Sequence, residues 1–265
     1  MKSRFNKINR INLSSWKEYD DLLIDSLWIF NKRDNNGVHE NKYWGNFIPQ
    51  IPNQLIRRFT KKGDWVLDPF LGGGTTMIEA QRLDRNCLGI ELQKKIAKNV
   101  SKIIKSIKNN KTKQRIITGD CTTISLSANS VKNKFQLLIL HPPYWDIIKF
   151  SKQKNDLSQT KTLSEFLLKF SLAIQNLKPF LSKNAYVAIV IGDAYKNSQW
   201  VPLGFHCMQT AIQNGLMLKS IIVKNQEETR GKVNQKNLWR YRALASDYYL
   251  FKHEYVFILK NTSIT

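Results

Sequence analysis

The segment HPPYW, residues 141–145, ends an apolar run and places two prolines before two large aromatic rings. Each proline lacks an N–H group and fixes its φ angle at about −65°, and Pro142 also keeps the preceding residue extended. His141 and Pro142 are therefore expected to turn their carbonyl groups toward a ligand. A neutral histidine ring can also accept one hydrogen bond, so the segment offers both side-chain and backbone acceptors. Taken alone, the segment is more typical of a structural turn whose rings pack in the core.

A second candidate site lies upstream in LDPFLGGGTT, residues 67–76, where three glycines separate a predicted strand from a predicted helix. Glycines let the backbone turn sharply and let a ligand approach main-chain atoms. The loop lacks the Gly-Lys-Ser/Thr of a P-loop and the spacing of G-x-G-x-x-G. Asp68 ends the strand, and Glu91 ends the next one, where a carboxylate can bridge ribose hydroxyls. Acidic groups without a phosphate clamp favour a cationic nucleoside, although a plain tight turn also fits the glycines.

The elements that must position these residues alternate between strand and helix from residue 64 onward. Ser164 is the expected N-cap of one helix, and Gly215 is expected to close another. The last two strands have no helix between them, which predicts an antiparallel hairpin at the end. The pattern predicts an α/β fold with a doubly wound, mostly parallel, Rossmann-like sheet and ligands at the carboxyl ends of its strands. The predicted strands are 64–70, 86–92, 115–120, 135–140, 185–193, 217–224 and 248–260, and the helices are 75–83, 93–109, 163–181 and 202–215.

The chain has the composition of a globular protein, because 42% of its 265 residues are hydrophobic. No apolar stretch reaches the roughly 18 residues needed to cross a bilayer, and residues 1–20 lack a signal-peptide core. A cytoplasmic location without membrane association is therefore expected. The three cysteines, Cys87, Cys121 and Cys207, are far apart, so neither a disulfide framework nor a metal site is expected.

The charge of the chain is unusual for an ordinary globular protein. Lysine and arginine number 42 against 20 acidic residues, which gives a net charge of +22. Such a balance indicates a polyanionic partner, most often nucleic acid. The alternative is the general lysine enrichment of a lysine-rich proteome.

Both motifs resemble those of the S-adenosylmethionine-dependent DNA amino methyltransferases. DPFLGGGTT resembles their cofactor motif, and HPPYW resembles their catalytic (Asp/Asn/Ser)-Pro-Pro-(Tyr/Phe/Trp) motif. The segment 45–59 is similar to their phenylalanine-containing segment, and the resemblance covers roughly residues 43–260. It implies that Asp68 and the loop 71–75 hold the methionine end of S-adenosylmethionine, that Glu91 holds the ribose, and that Asp120 and Cys121 lie near the adenine. The implied cofactor-binding residues are Phe47, Ile48, Asp68, Pro69, Phe70, Gly72, Gly73, Gly74, Thr75, Glu91, Asp120 and Cys121.

The resemblance also implies methyl transfer to the exocyclic amino group of a DNA base that is flipped out of the duplex and stacked on Tyr144. The implied catalytic residues are His141, Pro142, Pro143 and Tyr144. His141 departs from the family, which has Asp or Asn mainly with adenine N6 methylation and Ser mainly with cytosine N4 methylation. Trp145 is commoner in the cytosine N4 enzymes and slightly favours that base. The motif has no cysteine, so cytosine C5 methylation is not expected.

Nucleic-acid contacts are expected from two segments outside the motifs. Residues 225–247 interleave arginines with aromatic rings, which suits phosphate contact and base stacking, although a surface loop with packed rings is the alternative. Residues 146–162 are lysine-rich and follow the catalytic motif. The predicted domains are an N-terminal extension, 1–42, and a methyltransferase domain, 43–265, with a DNA-recognition insert at 225–247. The predicted contacts are Trp145, Lys149, Arg230, Lys232, Trp239, Arg240 and Arg242.

These observations favour a site-specific methyltransferase that acts on double-stranded DNA within a restriction-modification set. A cognate restriction endonuclease is the partner that this reading implies. One alternative is the same chemistry on RNA. The other is an inactive methyltransferase fold that serves as a DNA-binding module, which the unusual His141 keeps open.

Overall fold

The computed structural model describes residues 4–39, 43–108, 111–126, 134–226 and 236–262. The helices are α1 (Gln50–Phe59), α2 (Thr75–Arg82), α3 (Lys94–Ser106), α4 (Leu163–Leu177), α5 (Leu203–Gln213) and α6 (Lys236–Leu244). The strands are β1 (Leu27–Trp28), β2 (Trp65–Asp68), β3 (Asn86–Glu91), β4 (Gln114–Thr118), β5 (Phe135–Leu140), β6 (Leu181–Ile191), β7 (Ala194–Lys196), β8 (Gln199–Val201), β9 (Met217–Asn225) and β10 (His253–Lys260). Short 3₁₀ helices cover Leu13–Tyr19, Leu157–Gln159 and Lys178–Phe180.

Within the described residues, eight strands form one sheet in the order β1-β9-β10-β6-β5-β2-β3-β4, and β7 and β8 form a separate hairpin. The pairs from β4 through β6 are parallel, whereas β10 runs antiparallel to both β6 and β9. This arrangement confirms the predicted α/β fold with its mostly parallel sheet and its antiparallel hairpin. The hairpin partner β10 lies inside the sheet, next to β6, and β1 pairs with β9 at the outer edge.

The core follows from the apolar strands in the middle of the sheet. The β5 sequence FQLLIL is almost entirely buried, as expected for a strand that is covered on both faces. Two clusters of buried side chains lie on the two faces of the sheet. Packing on both faces fixes the carboxyl ends of the parallel strands at one edge, where both sequence motifs lie.

Local details of the helices differ from the sequence prediction at one cap. The N-cap of α4 is Thr162, whose hydroxyl accepts a hydrogen bond from the Glu165 N–H at 3.1 Å, and not Ser164. The predicted end of α5 is confirmed, because Gly215 has a φ of 76° directly after the helix. Threonine and serine are nearly equivalent as caps, so the sequence could not separate two candidates two positions apart.

The N-terminal region contributes to the core, although its sequence shows no strong periodicity. Trp28 is only 4% exposed and packs in one of the two clusters. His39 is buried, and its Nε2 lies 2.6 Å from Oε1 of Glu79 on α2. Residues 40–42, at the predicted boundary of the extension, lie outside the described residues. The division into 1–42 and 43–265 therefore stays a prediction.

In the described ranges, no helix combines the length and the apolar character that a membrane crossing requires.

Candidate active site

The two sequence motifs line one cavity of about 670 Å³ at the carboxyl ends of the parallel strands. Asp68 ends β2 and Glu91 ends β3, while His141 follows β5 and Gly192 follows β6. Parallel strands carry their carboxyl ends at one edge of a sheet, and this geometry brings together residues far apart in sequence. Of the predicted cofactor and catalytic residues, Gly73 and Gly74 alone do not line the cavity.

The glycine loop between β2 and α2 is shaped by close neighbours. Gly74 has a φ of 81°, which lies in the left-handed region that favours glycine. A Cβ there would also lie 2.5 Å from the side chain of Val100. A Cβ on Gly73 would lie 2.5 Å from the side-chain amide of Asn46. A side chain at Gly73 would therefore collide with Asn46 rather than enter the cavity directly.

Glu91 ties the loop to the end of β3. Its Oε2 accepts a hydrogen bond from the Gly72 N–H, and its Oε1 accepts one from the Gln93 N–H, each at 2.9 Å. Burial raises the pKa of this carboxyl above its ordinary value. Each carboxylate oxygen can accept more than one hydrogen bond, so Glu91 can order the loop and also receive hydroxyl groups from the cavity.

Asp68 is a carboxyl with almost no contact with water. It is 2% exposed, and its Oδ1 accepts a hydrogen bond from the Phe70 N–H at 3.0 Å. Burial raises the pKa of Asp68 to about 6. A cationic ligand beside it would favour the ionised form and lower that pKa again, so the site suits a cation.

Asp120 and Cys121 border the same cavity beyond β4. One oxygen of Asp120 accepts hydrogen bonds from the N–H and the hydroxyl of Thr122, each at 2.8 Å. Cys121 is 5% exposed, and burial raises the pKa of its thiol. The thiol therefore stays protonated and packs as an apolar group, which does not suit a nucleophile.

Phe47 lies between the glycine-loop side of the cavity and its HPPYW side. Its ring centroid lies 4.5 Å from that of His141, and the His141 ring lies edge-on to Tyr144 at 5.7 Å. The Phe47 carbonyl accepts a hydrogen bond from Nη1 of Arg33 at 2.9 Å, which fixes the segment before α1. His141 is thus held between two aromatic rings.

The surroundings of His141 keep its ring neutral. Burial lowers the pKa of His141 to about 4, against the opposing charge of Glu254. The pKa of about 6.5 that is ordinary for histidine does not apply to this enclosed ring. Its unprotonated nitrogen is available as an acceptor throughout the neutral range.

Sequence reasoning missed two charged residues at the catalytic motif. The hydroxyl of Tyr144 donates to Oε2 of Glu254 at 2.6 Å, and Nζ of Lys224 donates to Oε1 at 2.9 Å. Lys224 lies near the end of β9 and Glu254 near the start of β10, and both line the cavity. A lysine and a glutamate in separate strands carry no local signal, because only the pairing register places them together.

Among the residues predicted to contact nucleic acid, one is buried in the core and several are exposed at the surface. Trp145 is 6% exposed and packs in a core cluster, with Nζ of Lys196 4.0 Å from its ring centroid. The ring therefore supports the loop and is not available to stack on DNA, contrary to the prediction. Lys149 is exposed, although its ammonium group donates to the Ser158 carbonyl.

Part of the predicted recognition insert is a helix beside the cavity. Trp239 on α6 lines the cavity, and the exposed Arg242 places its guanidinium carbon 5.2 Å from the Trp239 ring centroid. Arg240 is also exposed on this helix. Arg230 and Lys232 lie outside the described residues.

Comparison with known proteins bears on the family of this chain. The N6/N4 methyltransferase family model, described as DNA methylase, matches residues 2–104. The predicted resemblance to the DNA amino methyltransferases is confirmed. The matched region includes the glycine loop and Glu91 and ends before the catalytic motif.

Two similar relatives are type II methyltransferases. M.MjaI of Methanocaldococcus jannaschii is 51% identical over 81 residues, which cover 30% of this chain and 26% of the relative. M.BglI of Bacillus subtilis is 33% identical over 113 residues, which cover 42% of this chain and 30% of the relative. The matches thus span less than a third of either relative, and activity, substrate and partners do not transfer with them.

The fold is shared with a solved S-adenosylmethionine-dependent methyltransferase from Methanosarcina mazei. That structure has a TM-score of 0.51 and 12% identity, and the match covers 78% of this chain and 97% of the other. At this identity the likeness shows the fold alone.

Proposed function

We propose that this chain is an amino methyltransferase, which transfers a methyl group from S-adenosylmethionine to the exocyclic amino group of a base in double-stranded DNA. The observation that carries the proposal is the meeting of two half-sites in one cavity. Asp68 and Glu91 form an acidic half, and the HPPYW segment forms an acceptor half. Phe47 lies at their junction, in contact with His141.

The residues of the chain position the target amino group. Bound S-adenosylmethionine supplies an electrophilic methyl group. The neutral ring of His141 and the carbonyl of Pro142 can each accept a hydrogen from the amino nitrogen, which favours a pyramidal nitrogen with an available lone pair. Such acceptors act through positioning and electrostatics. Because its pKa is about 4, His141 orients the amino group, and the proton that the methylated nitrogen loses passes to solvent.

The proposed target is cytosine N4, and the proposed biological setting is restriction-modification. Trp145 after the catalytic tyrosine favours cytosine N4 over adenine N6. The type II relatives favour a role in restriction-modification with a cognate endonuclease. Residues 225–247, which include α6, are proposed as the recognition insert, since Trp239 reaches the cavity while Arg240 and Arg242 face outward.

A methyl-transfer assay with duplex DNA, single-stranded DNA and structured RNA side by side tests this function. We expect labelled methyl groups on duplex DNA, with N4-methylcytosine identified by mass spectrometry of the digested product. N6-methyladenine would change the base but keep the reaction class. Transfer to RNA alone would overturn the DNA assignment, and cofactor binding without transfer to any substrate would favour the inactive DNA-binding module.

Removing Arg240 and Arg242 together should weaken duplex binding by more than tenfold and reduce its salt dependence. Each phosphate contact that is lost lowers the slope of log affinity against log salt by roughly one unit. Fluorescence anisotropy at several salt concentrations measures both quantities. Lys102→Ala/Lys105→Ala removes the same charge from exposed positions near the end of α3, away from the cavity, and should leave the slope nearly unchanged. Equal slopes in the two variants would show that α6 does not contact the DNA backbone.

A further inference from the structure

Three polar side chains from three separate elements form a hydrogen-bonded chain behind the catalytic motif. The Tyr144 hydroxyl donates to Glu254, and Glu254 also accepts from the ammonium group of Lys224. Only 4% of Glu254 and 5% of Lys224 are exposed, yet both border the cavity. A buried ion pair at a candidate active site calls for a role, because burying charges costs more than an apolar pair of similar size.

The pair is fixed by the sheet. Lys224 and Glu254 are direct partners in the antiparallel register of β9 and β10. Residues directly opposite in such a pair point to the same face, so their side chains must meet. Burial raises the pKa of Glu254, but the charge of Lys224 and the hydrogen bonds from Tyr144 and Lys224 outweigh it and lower the pKa overall. Glu254 is therefore an ionised acceptor at neutral pH.

The ring of Tyr144 is confined along its edges as well as at its hydroxyl. A Cβ on Gly192 would lie 2.9 Å from Cε2 of Tyr144, so the glycine makes room for the ring. On another side the ring lies perpendicular to His141, with an interplanar angle of 89°. Burial, followed by the charge of Glu254, raises the pKa of the Tyr144 phenol, which therefore stays a protonated donor.

We infer that Lys224 and Glu254 are positioning residues that hold Tyr144 as a preset stacking surface for the target base. The inference rests on the proposed function, since it assigns the base to Tyr144. A ring already fixed by a charge-assisted hydrogen bond loses little freedom when a base stacks on it. The hydroxyl of Tyr144 thus matters although it does not touch the reacting atoms.

Two double variants distinguish the loss of the Tyr144 hydrogen bond from a general loss of folding. Lys224→Met/Glu254→Leu removes both charges together, which avoids an unpaired buried charge and is often neutral for stability. Lys224→Gln/Glu254→Gln also removes both charges but keeps an amide oxygen that can accept the Tyr144 hydrogen bond. Only the first pair takes away the acceptor. Glu79→Gln removes a buried carboxylate on α2 that does not line the cavity, and it is the control.

Single-turnover methylation at saturating cofactor, with the DNA concentration varied, is the first readout. We expect Tyr144→Phe and Lys224→Met/Glu254→Leu each to need about tenfold more DNA for half-maximal rate, as loss of one charge-assisted hydrogen bond predicts. Adding Tyr144→Phe to that pair should have little further effect, because the hydroxyl has already lost its acceptor. The Gln/Gln pair should stay within about threefold of wild type, and cofactor affinity should be unchanged in all variants. Wild-type behaviour of Tyr144→Phe, or a full second loss in the triple variant, would overturn the inference.

A second readout does not depend on activity. The protein is labelled with 3-fluorotyrosine, and the ¹⁹F resonance of Tyr144 is assigned by its loss in Tyr144→Phe. In wild type the ring should flip slowly, so that its two orientations give separate signals. In Lys224→Met/Glu254→Leu the ring should flip fast, so that the two signals average into one. A single averaged Tyr144 signal in wild type would show that Lys224 and Glu254 do not hold the ring, whatever the methylation activity. A slow ring in a wild-type protein that methylates no DNA would overturn the proposed function and leave the positioning role of Lys224 and Glu254 standing.

Discussion

Replacing His141 with leucine should slow the single-turnover methyl transfer by roughly 100- to 1000-fold, the range seen when one preorganised polar group is removed from an active site. Leucine has similar bulk and can still pack between Phe47 and Tyr144, but it has no acceptor for the amino hydrogens. Rapid-quench assays with prebound cofactor and DNA measure this step directly. Cofactor affinity, measured by calorimetry, should change little.

His141→Asn and His141→Asp provide the matched controls. Each restores a side-chain oxygen of the type that the family carries at this position, and each should keep activity within about tenfold of wild type. If His141→Leu methylates as fast as wild type, the side-chain acceptor is dispensable. The carbonyl of Pro142 would then be left as the acceptor of the motif.

The pH dependence of the same step gives an independent test of the His141 environment. Burial lowers the His141 pKa to about 4, so the ring stays neutral and the chemical step should be flat from pH 8 down to about pH 5. Below that region the imidazolium form has no acceptor, and the rate should fall. A single-turnover rate that already halves near pH 6.5 would show a solvent-exposed, ordinary histidine.

Replacing Asp68 with alanine or asparagine should weaken S-adenosylmethionine binding by roughly 100-fold, as loss of a buried charge partner predicts. The carboxyl is 2% exposed and borders the cavity, so a cation beside it would be poorly screened by water. Isothermal titration calorimetry on the folded variants measures the affinity, with circular dichroism to confirm that β2 and α2 are intact. Equal affinity in both variants and wild type would remove Asp68 from the cofactor site.

Protonation of Asp68 should weaken cofactor binding at acidic pH, because the pKa of this carboxyl is raised. With a pKa of about 6 in the free protein, the carboxyl is ionised above pH 6 and protonated below it. A cation prefers the ionised form, so affinity should be constant above pH 7 and fall by up to tenfold per pH unit below about pH 6. Asp68→Asn should show no such fall. This limit acts on cofactor binding, whereas that of His141 acts on the chemical step about two pH units lower, so the two are separable.

The sequence by itself determined the order of the elements and the place of both motifs. Strand and helix periodicities are local properties, so β2, β3, β5 and β6 could be predicted near their observed bounds. Once those strands are parallel, Asp68, Glu91 and His141 must share one edge of the sheet, and the cavity follows from topology alone. The match of residues 2–104 to the DNA methylase model agrees with that part of the analysis.

The tertiary structure decided what depends on pairing and burial across long distances in the chain. The register of β9 and β10 places Lys224 opposite Glu254, although 30 residues separate them. Packing turns Trp145 into the core. It also encloses His141, and this burial lowers the pKa of the ring below the ordinary histidine value. These features have no local signal, because a side chain's exposure and charge partners are set by segments that become neighbours only when the chain folds.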